Sequence, residues 1–302
     1  MRLQTLSGVI PPLGTPLDAE GRVDVQGLRR LARYILDGGV HGVFVNGSMG
    51  GFAFLTDAEQ IRAIETVVDT VQGRVPVMAG LGELSTTRAV ARAREMARLG
   101  ITHLSVLAPL FYLASQDQLV RYFSEIAASV DLPIVIYDNP VLTQNPIQPE
   151  TIVRLRARIP HLVGVKESNQ DCVNLQLLLE LTRHEENFTV LTGSEFLIVV
   201  GLQMGVKGCV GGVHNLCPRI AVELYEAFLK GDIETAKDRQ RVLTEIWQIF
   251  RQGGVWSAFE EALRYLGICE RAAGEPYVTP LSATECENIR GILARHLSPA
   301  KM

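Results

Sequence analysis

The chain has 302 residues, 47% of them hydrophobic, and a formal net charge of −4. That is enough material for one large core or two small ones, no Pro/Gly/Ser-rich linker divides it, and scattered arginines offer a nucleic acid no basic face. No apolar run approaches membrane-spanning length, no signal peptide fits before Pro11-Pro12, and five cysteines without a CxxC pair suit a reduced compartment, so a cytoplasmic protein is expected.

From the amino end, short apolar runs alternate with amphipathic segments. Strands are expected at Gly8–Leu13, Gly42–Val45, Val75–Ala79, His103–Leu107, Ile134–Tyr137, Leu162–Lys166, Thr189–Thr192 and Gly208–Val210. The segments between them carry apolar residues at three- and four-residue steps, as in Val25, Leu28, Leu31, Ala32, Ile35 and Leu36. Thr56-Asp57-Ala58-Glu59 and Ser115-Gln116-Asp117-Gln118 read as capping boxes, and Pro149 suits a first helical turn. Eight strand–helix units without hairpin signals predict a parallel sheet closed into a (β/α)8 TIM barrel over residues 1–230. A doubly wound open sheet is the runner-up; the phosphate-binding turn it would place after its first strand is missing, since Gly14-Thr15-Pro16 is not glycine-rich. Helical patterns alone follow the eighth strand. Arg219–Leu229 closes the barrel, and Ile233–Phe250, Val255–Leu266 and Ala283–His296 form a helical appendage over residues 231–302.

In a barrel, chemistry collects at the carboxyl ends of the strands. The sixth strand ends in Gly164-Val165-Lys166-Glu167-Ser168. A lysine at the end of a buried strand is unusual, and desolvation favours the neutral amine that attacks carbonyls. The alternative is an amine that reaches solvent or pairs with Glu167. The fifth strand places Tyr137 at matching height, either as a proton shuttle or as a tyrosine anchored by one hydrogen bond. After the second strand, Asn46-Gly47-Ser48-Met49-Gly50-Gly51 is either a flexible loop or a cradle of turn amides for a carboxylate. Pro109-Leu110-Phe111-Tyr112 is an apolar loop, a pocket wall or a subunit contact. Thr192-Gly193-Ser194-Glu195 and Gly208 to Asn215 complete the rim. No metal-ligand spacing, dinucleotide fingerprint or Walker loop occurs, so neither metal nor nucleotide is expected.

Together these residues resemble the dihydrodipicolinate synthase and N-acetylneuraminate lyase family of class I aldolases, over nearly the whole chain. The specific markers are Gly164-Val165-Lys166-Glu167-Ser168 and Tyr137 in a Tyr-x-x-Pro motif, supported by Pro12, Thr15-Pro16, Gly47-Ser48-x-Gly50, Leu55-Thr56 and Gly208-x-x-Gly211. The resemblance implies a Schiff base between Lys166 and pyruvate or another 2-oxo acid, with Tyr137 moving protons. Ser48, Met49 and Gly50 would hold the carboxylate, Gly211 would leave room above the barrel, and Thr143, Ser168, Glu195, His214 and Asn215 would face the variable end. It also implies a homotetramer built as a dimer of dimers, with Phe111 and Tyr112 in the subunit-contact loop. Several positions depart from the family pattern. Met49 replaces a hydroxyl residue, Gly51 an acidic one and Phe111 a relay tyrosine, and Leu142 stands where dihydrodipicolinate synthases carry an arginine. The expected activity is therefore an aldolase or dehydratase for a 2-oxo acid or 2-keto-3-deoxy sugar acid. Dihydrodipicolinate synthase itself and a catalytically silent barrel that binds a keto or sugar acid as a sensor or accessory subunit are the alternatives.

Overall fold

The computed structural model describes residues 5–298. Eight strands are present: β1 (Gly8–Val9), β2 (Val43–Val45), β3 (Val77–Leu81), β4 (His103–Leu107), β5 (Ile134–Asp138), β6 (Leu162–Glu167), β7 (Thr189–Thr192) and β8 (Gly208–Cys209). All pair in parallel in the order β1-β8-β7-β6-β5-β4-β3-β2. The remaining gap, between β1 and β2, is crossed by His41 N–H to Val9 O at 2.9 Å, Phe44 N–H to Pro11 O at 2.9 Å and Leu13 N–H to Phe44 O at 2.8 Å. The first strand is shorter than the expected Gly8–Leu13 because Pro11 and Pro12 have no N–H to give a ladder.

The helices are α1 (Val25–Asp37), α2 (Asp57–Val71), α3 (Thr86–Met96), α4 (Gln116–Ala127), the single turn α5 (Pro140–Thr143), α6 (Pro149–Arg158), α7 (Cys172–Thr182), α8 (Ile198–Met204) and α9 (Pro218–Leu229). Beyond the barrel lie α10 (Ile233–Trp247), α11 (Val255–Tyr265) and α12 (Ala283–Ala294). The Ser115 capping box forms in full. At Thr56 half of it forms: the hydroxyl accepts from Glu59 N, while the Glu59 carboxylate turns instead to Val23 N at 2.6 Å and ties α2 to the chain ahead of α1. Glu261 in α11, 1% exposed on its side chain, meets Arg290 of α12 at 2.7 Å and fixes that helix pair.

Two apolar clusters follow from the period-two pleat. Outward residues such as Val43, Val45, Leu104, Val106, Ile134 and Ile136 pack under the helices. Inward residues, among them Ile10, Phe44, Met78, Leu107, Val135, Tyr137, Val163, Leu191 and Val210, fill the barrel. On β6 the alternation breaks. Val163 is inward and Val165 outward, because the register against β5 slips between Ile134 and Val135, so that Ile134 faces Leu162 and Val135 faces Gly164. Strict alternation from Val163 would aim residue 166 at the helices; the bulge inverts the phase, and Lys166 points into the barrel.

Candidate active site

Tyr137 and Lys166 are register partners across β5 and β6. The Lys166 side chain is buried, with Nζ 3.8 Å from the centroid of the Tyr137 ring and 5.0 Å from that of Phe44. The Tyr137 hydroxyl lies 3.1 Å from Ser48 Oγ and accepts from Asn139 Nδ2 at 2.9 Å. Burial pushes this phenol up, but the charge of Lys166 and hydrogen bonds from Ser48, Asn139 and Lys166 outweigh it, leaving Tyr137 below the ordinary phenol value. An acidified phenol hydrogen-bonded to a hydroxyl and held beside an amine can both take up and return a proton.

Above the pair opens a cavity of about 320 Å3 whose walls include Ser48, Met49, Lys166, Ser168 and Glu195. The amides of Ser48, Met49 and Gly50 donate to no backbone carbonyl among the described residues, so the turn can accept an anion. Gly50 holds that turn from behind, its carbonyl accepting from Thr15 Oγ1 at 2.7 Å. Glu195 enters from the far side. Its Oε1 accepts from Gly212 N at 2.6 Å and Val213 N at 3.3 Å. Burial raises its pKa above the ordinary carboxyl value, while these backbone bonds and Lys166 pull the other way. Glycine is required beside it, since a Cβ on Gly211 would stand 2.7 Å from Glu195 Cγ. Ser168 Oγ is buried with no hydrogen-bond partner among the described residues.

Three residues expected to face the substrate lie behind the cavity wall instead. Thr143 Oγ1 donates to Asn139 O at 3.1 Å and accepts from Asn145 N, bracing the turn that carries Asn139. Asn215 accepts from Gly14 N at 3.0 Å and donates to Pro12 O and Gly212 O at 2.8 Å, sewing the ends of β1 and β8 together. His214 is fully buried; burial lowers it to about 3, and its Nδ1 accepts from Gly211 N at 3.3 Å. Burial thus favours the neutral ring. Phe111 and Tyr112 stand apart from the cavity, at 79% and 76% exposed, on a loop where Phe111 adopts φ 80°.

Other cavity residues are not among the expected site residues, although Leu142 marks a departure from the family pattern. Asn139 is the third partner of the phenol, and the alternation rule could have found it two residues beyond Tyr137. Val141 and Leu142 reach the cavity from α5, and Val255 and Trp256 from the start of α11. No local pattern connects α11 with β6; packing of the helical appendage alone brings them together.

The chain matches the Dihydrodipicolinate synthetase family over residues 5–296. It is 33% identical to the 4-hydroxy-tetrahydrodipicolinate synthase of Methanospirillum hungatei, over 96% of this chain and 99% of that one. It is 28% identical to the probable 2-dehydro-3-deoxy-D-pentonate aldolase YjhH of Escherichia coli, over 94% of both. Its structure superposes on that of YagE, a prophage protein of the dihydrodipicolinic acid synthase family from E. coli solved in complex with pyruvate, with a TM-score of 0.91 and 26% identity over 96% of this chain and 98% of that one. The chain belongs to the dihydrodipicolinate synthetase family and has its barrel and C-terminal helices.

Proposed function

From this membership we propose that the protein is a class I aldolase that cleaves or forms a carbon–carbon bond next to pyruvate, through an imine on Lys166. The observation that carries the reading is the Lys166 amine packed 3.8 Å from the Tyr137 ring at the floor of a ligand-sized cavity. The Lys166 amine adds to the ketone of a 4-hydroxy-2-oxo acid, and water leaves as the imine forms. Tyr137 then takes the proton of the C4 hydroxyl, the C3–C4 bond breaks, and its electron pair flows into the protonated imine to give an enamine. The aldehyde departs. Tyr137 returns the proton to C3, and water hydrolyses the imine to pyruvate and the free amine. Ser48 and the amides of Met49 and Gly50 hold the carboxylate, while Ser168 and Glu195 meet the C4 oxygen. The imine is itself the electron sink, so this reaction needs neither metal nor nucleotide, and a chelator leaves its rate unchanged.

Borohydride added with pyruvate should fix one reduced adduct, mapped by peptide mass to Lys166. An unmodified lysine under those conditions sinks the proposal. The exposed tip Phe111-Tyr112-Leu113 supports assembly into a homotetramer in which another copy covers it. Phe111→Asp should then lower the sedimenting mass, and an unchanged mass would remove the loop from the interface.

A further inference from the structure

We propose that the substrate is a 4-hydroxy-2-oxo acid whose far end is uncharged and apolar, an alkyl or aryl group on C4, so that the fragment exchanged with pyruvate is an apolar aldehyde. This rests on the Lys166 imine and adds to it the identity of the second partner.

The cavity is graded along its depth. Lys166 and Tyr137 form the floor, 3% and 4% exposed. Ser168 and Glu195, the groups able to meet a C4 oxygen, come next. At the mouth, beside the Gln170 amide, the chemistry changes to Val141, Leu142, Val255 and the Trp256 indole. Val141, Leu142 and Val255 are 78%, 50% and 47% exposed, so large aliphatic side chains from two distant elements stand open around one entrance. Trp256 is held in place by the edge of Phe54, with centroids 5.0 Å apart at 81°. A flat apolar group leaving C4 toward solvent would cover these side chains, and the indole offers it a stacking face.

Charge points the same way. Among the residues that line the cavity Lys166 is the one cation and Glu195 the one acid. Once the lysine is an imine and the Ser48 turn holds the 2-oxo acid's own carboxylate, a second carboxylate on the substrate finds no cation and faces Glu195. A polyhydroxylated tail fares little better, because beside the Gln170 and Asn139 amides the rim is aliphatic and leaves most of its hydroxyls without partners as they lose water.

The test is a panel of aldehydes offered to the intact protein with pyruvate: benzaldehyde, butanal, glyceraldehyde and succinic semialdehyde, with kcat/KM taken from pyruvate consumption. Benzaldehyde or butanal should exceed glyceraldehyde by on the order of tenfold and succinic semialdehyde by more. Trp256→Gln should raise KM for benzaldehyde while borohydride trapping of pyruvate on Lys166 stays at the wild-type level, and Leu142→Arg should shift preference toward succinic semialdehyde. Preference for glyceraldehyde or succinic semialdehyde in the wild type, or turnover of none of the four, overturns the apolar-tail proposal if the pyruvate adduct still forms. Absence of the adduct defeats the imine reading beneath it as well.

Discussion

Tyr137 and Lys166 face each other across β5 and β6, and so do the residues that follow them, Asp138 and Glu167. All four are buried, and each pair is one pleat away from the other. The inner pair is basic and weakly acidic, and the charge of Lys166 favours the ionised form of the Tyr137 phenol. The outer pair is two carboxyls that pair with no cation among the described residues. Burial raises Asp138 to about 7 against one opposing hydrogen bond from Ile147 N. Glu167 is likewise raised to about 7, by burial first and then by the charges of Asp138 and Asp171, against a 2.7 Å hydrogen bond from Asn169 N. The same depth of burial thus prepares a proton-transfer pair on one side of the sheet and a pH-labile joint on the other. Partner sign, not burial, separates the two.

The inner pair depends most on the amine. Lys166→Ala should cut turnover by about 10^4-fold or more, as loss of a covalent nucleophile does, and abolish the borohydride adduct. Loss of the neighbouring charge should also let the Tyr137 phenol rise, seen as a later phenolate step in an ultraviolet pH titration; a step in the wild-type place would mean the two groups are uncoupled. Tyr137→Phe should cost about 10^2- to 10^4-fold, the usual share of a positioned acid–base group, while the adduct still forms more slowly. Retention of full turnover would move the proton to another group.

Gly164 sits at the register shift that turns Lys166 inward. A Cβ there would stand 2.5 Å from Thr189 O and 2.9 Å from its hydroxyl. Gly164→Ala should therefore force β6 from β7, lower stability by roughly 1–3 kcal/mol and reduce adduct formation with it. Wild-type melting together with wild-type trapping would show that the bulge tolerates the methyl.

Much of this frame was legible in the residues. β4 and β7 fall at the expected His103–Leu107 and Thr189–Thr192, where apolar runs are bounded by turn-forming or polar residues. Lys166 and Tyr137 were placed at one height because strand ends in a parallel barrel share a rim. The direction of Lys166 was not legible, since a simple count from Val163 aims it outward and the bulge shows only in the pairing. Thr143, His214 and Asn215 have polar side chains that suit a substrate as well as a loop; local turns make braces of Thr143 and His214, and long-range bonds to Pro12 and Gly14 make one of Asn215. Val255 and Trp256 lie nearly ninety residues beyond Lys166, a separation that no periodicity bridges.

The most specific effect belongs to the outer pair. Asp138 and Glu167 both bind their protons more tightly folded than unfolded, where the ordinary values are 3.8 and 4.5. Their stabilising contribution is thus fully present below about pH 4 and is lost as pH rises through about 7, because the folded chain must then either keep a proton from solution or ionise two adjacent buried carboxyls. The effect of each group across that window is on the order of a few kcal/mol. Asp138→Asn keeps an oxygen for Ile147 N and removes one titrating partner, which also relieves Glu167 of a neighbouring charge. Melting temperatures at pH 5 and pH 8 should fall apart in the wild type and draw together in the variant, with the gain confined to the alkaline side. Parallel curves would mean that the carboxyls shed their protons without strain, and that the outer pair is no more sensitive to pH than any exposed acid.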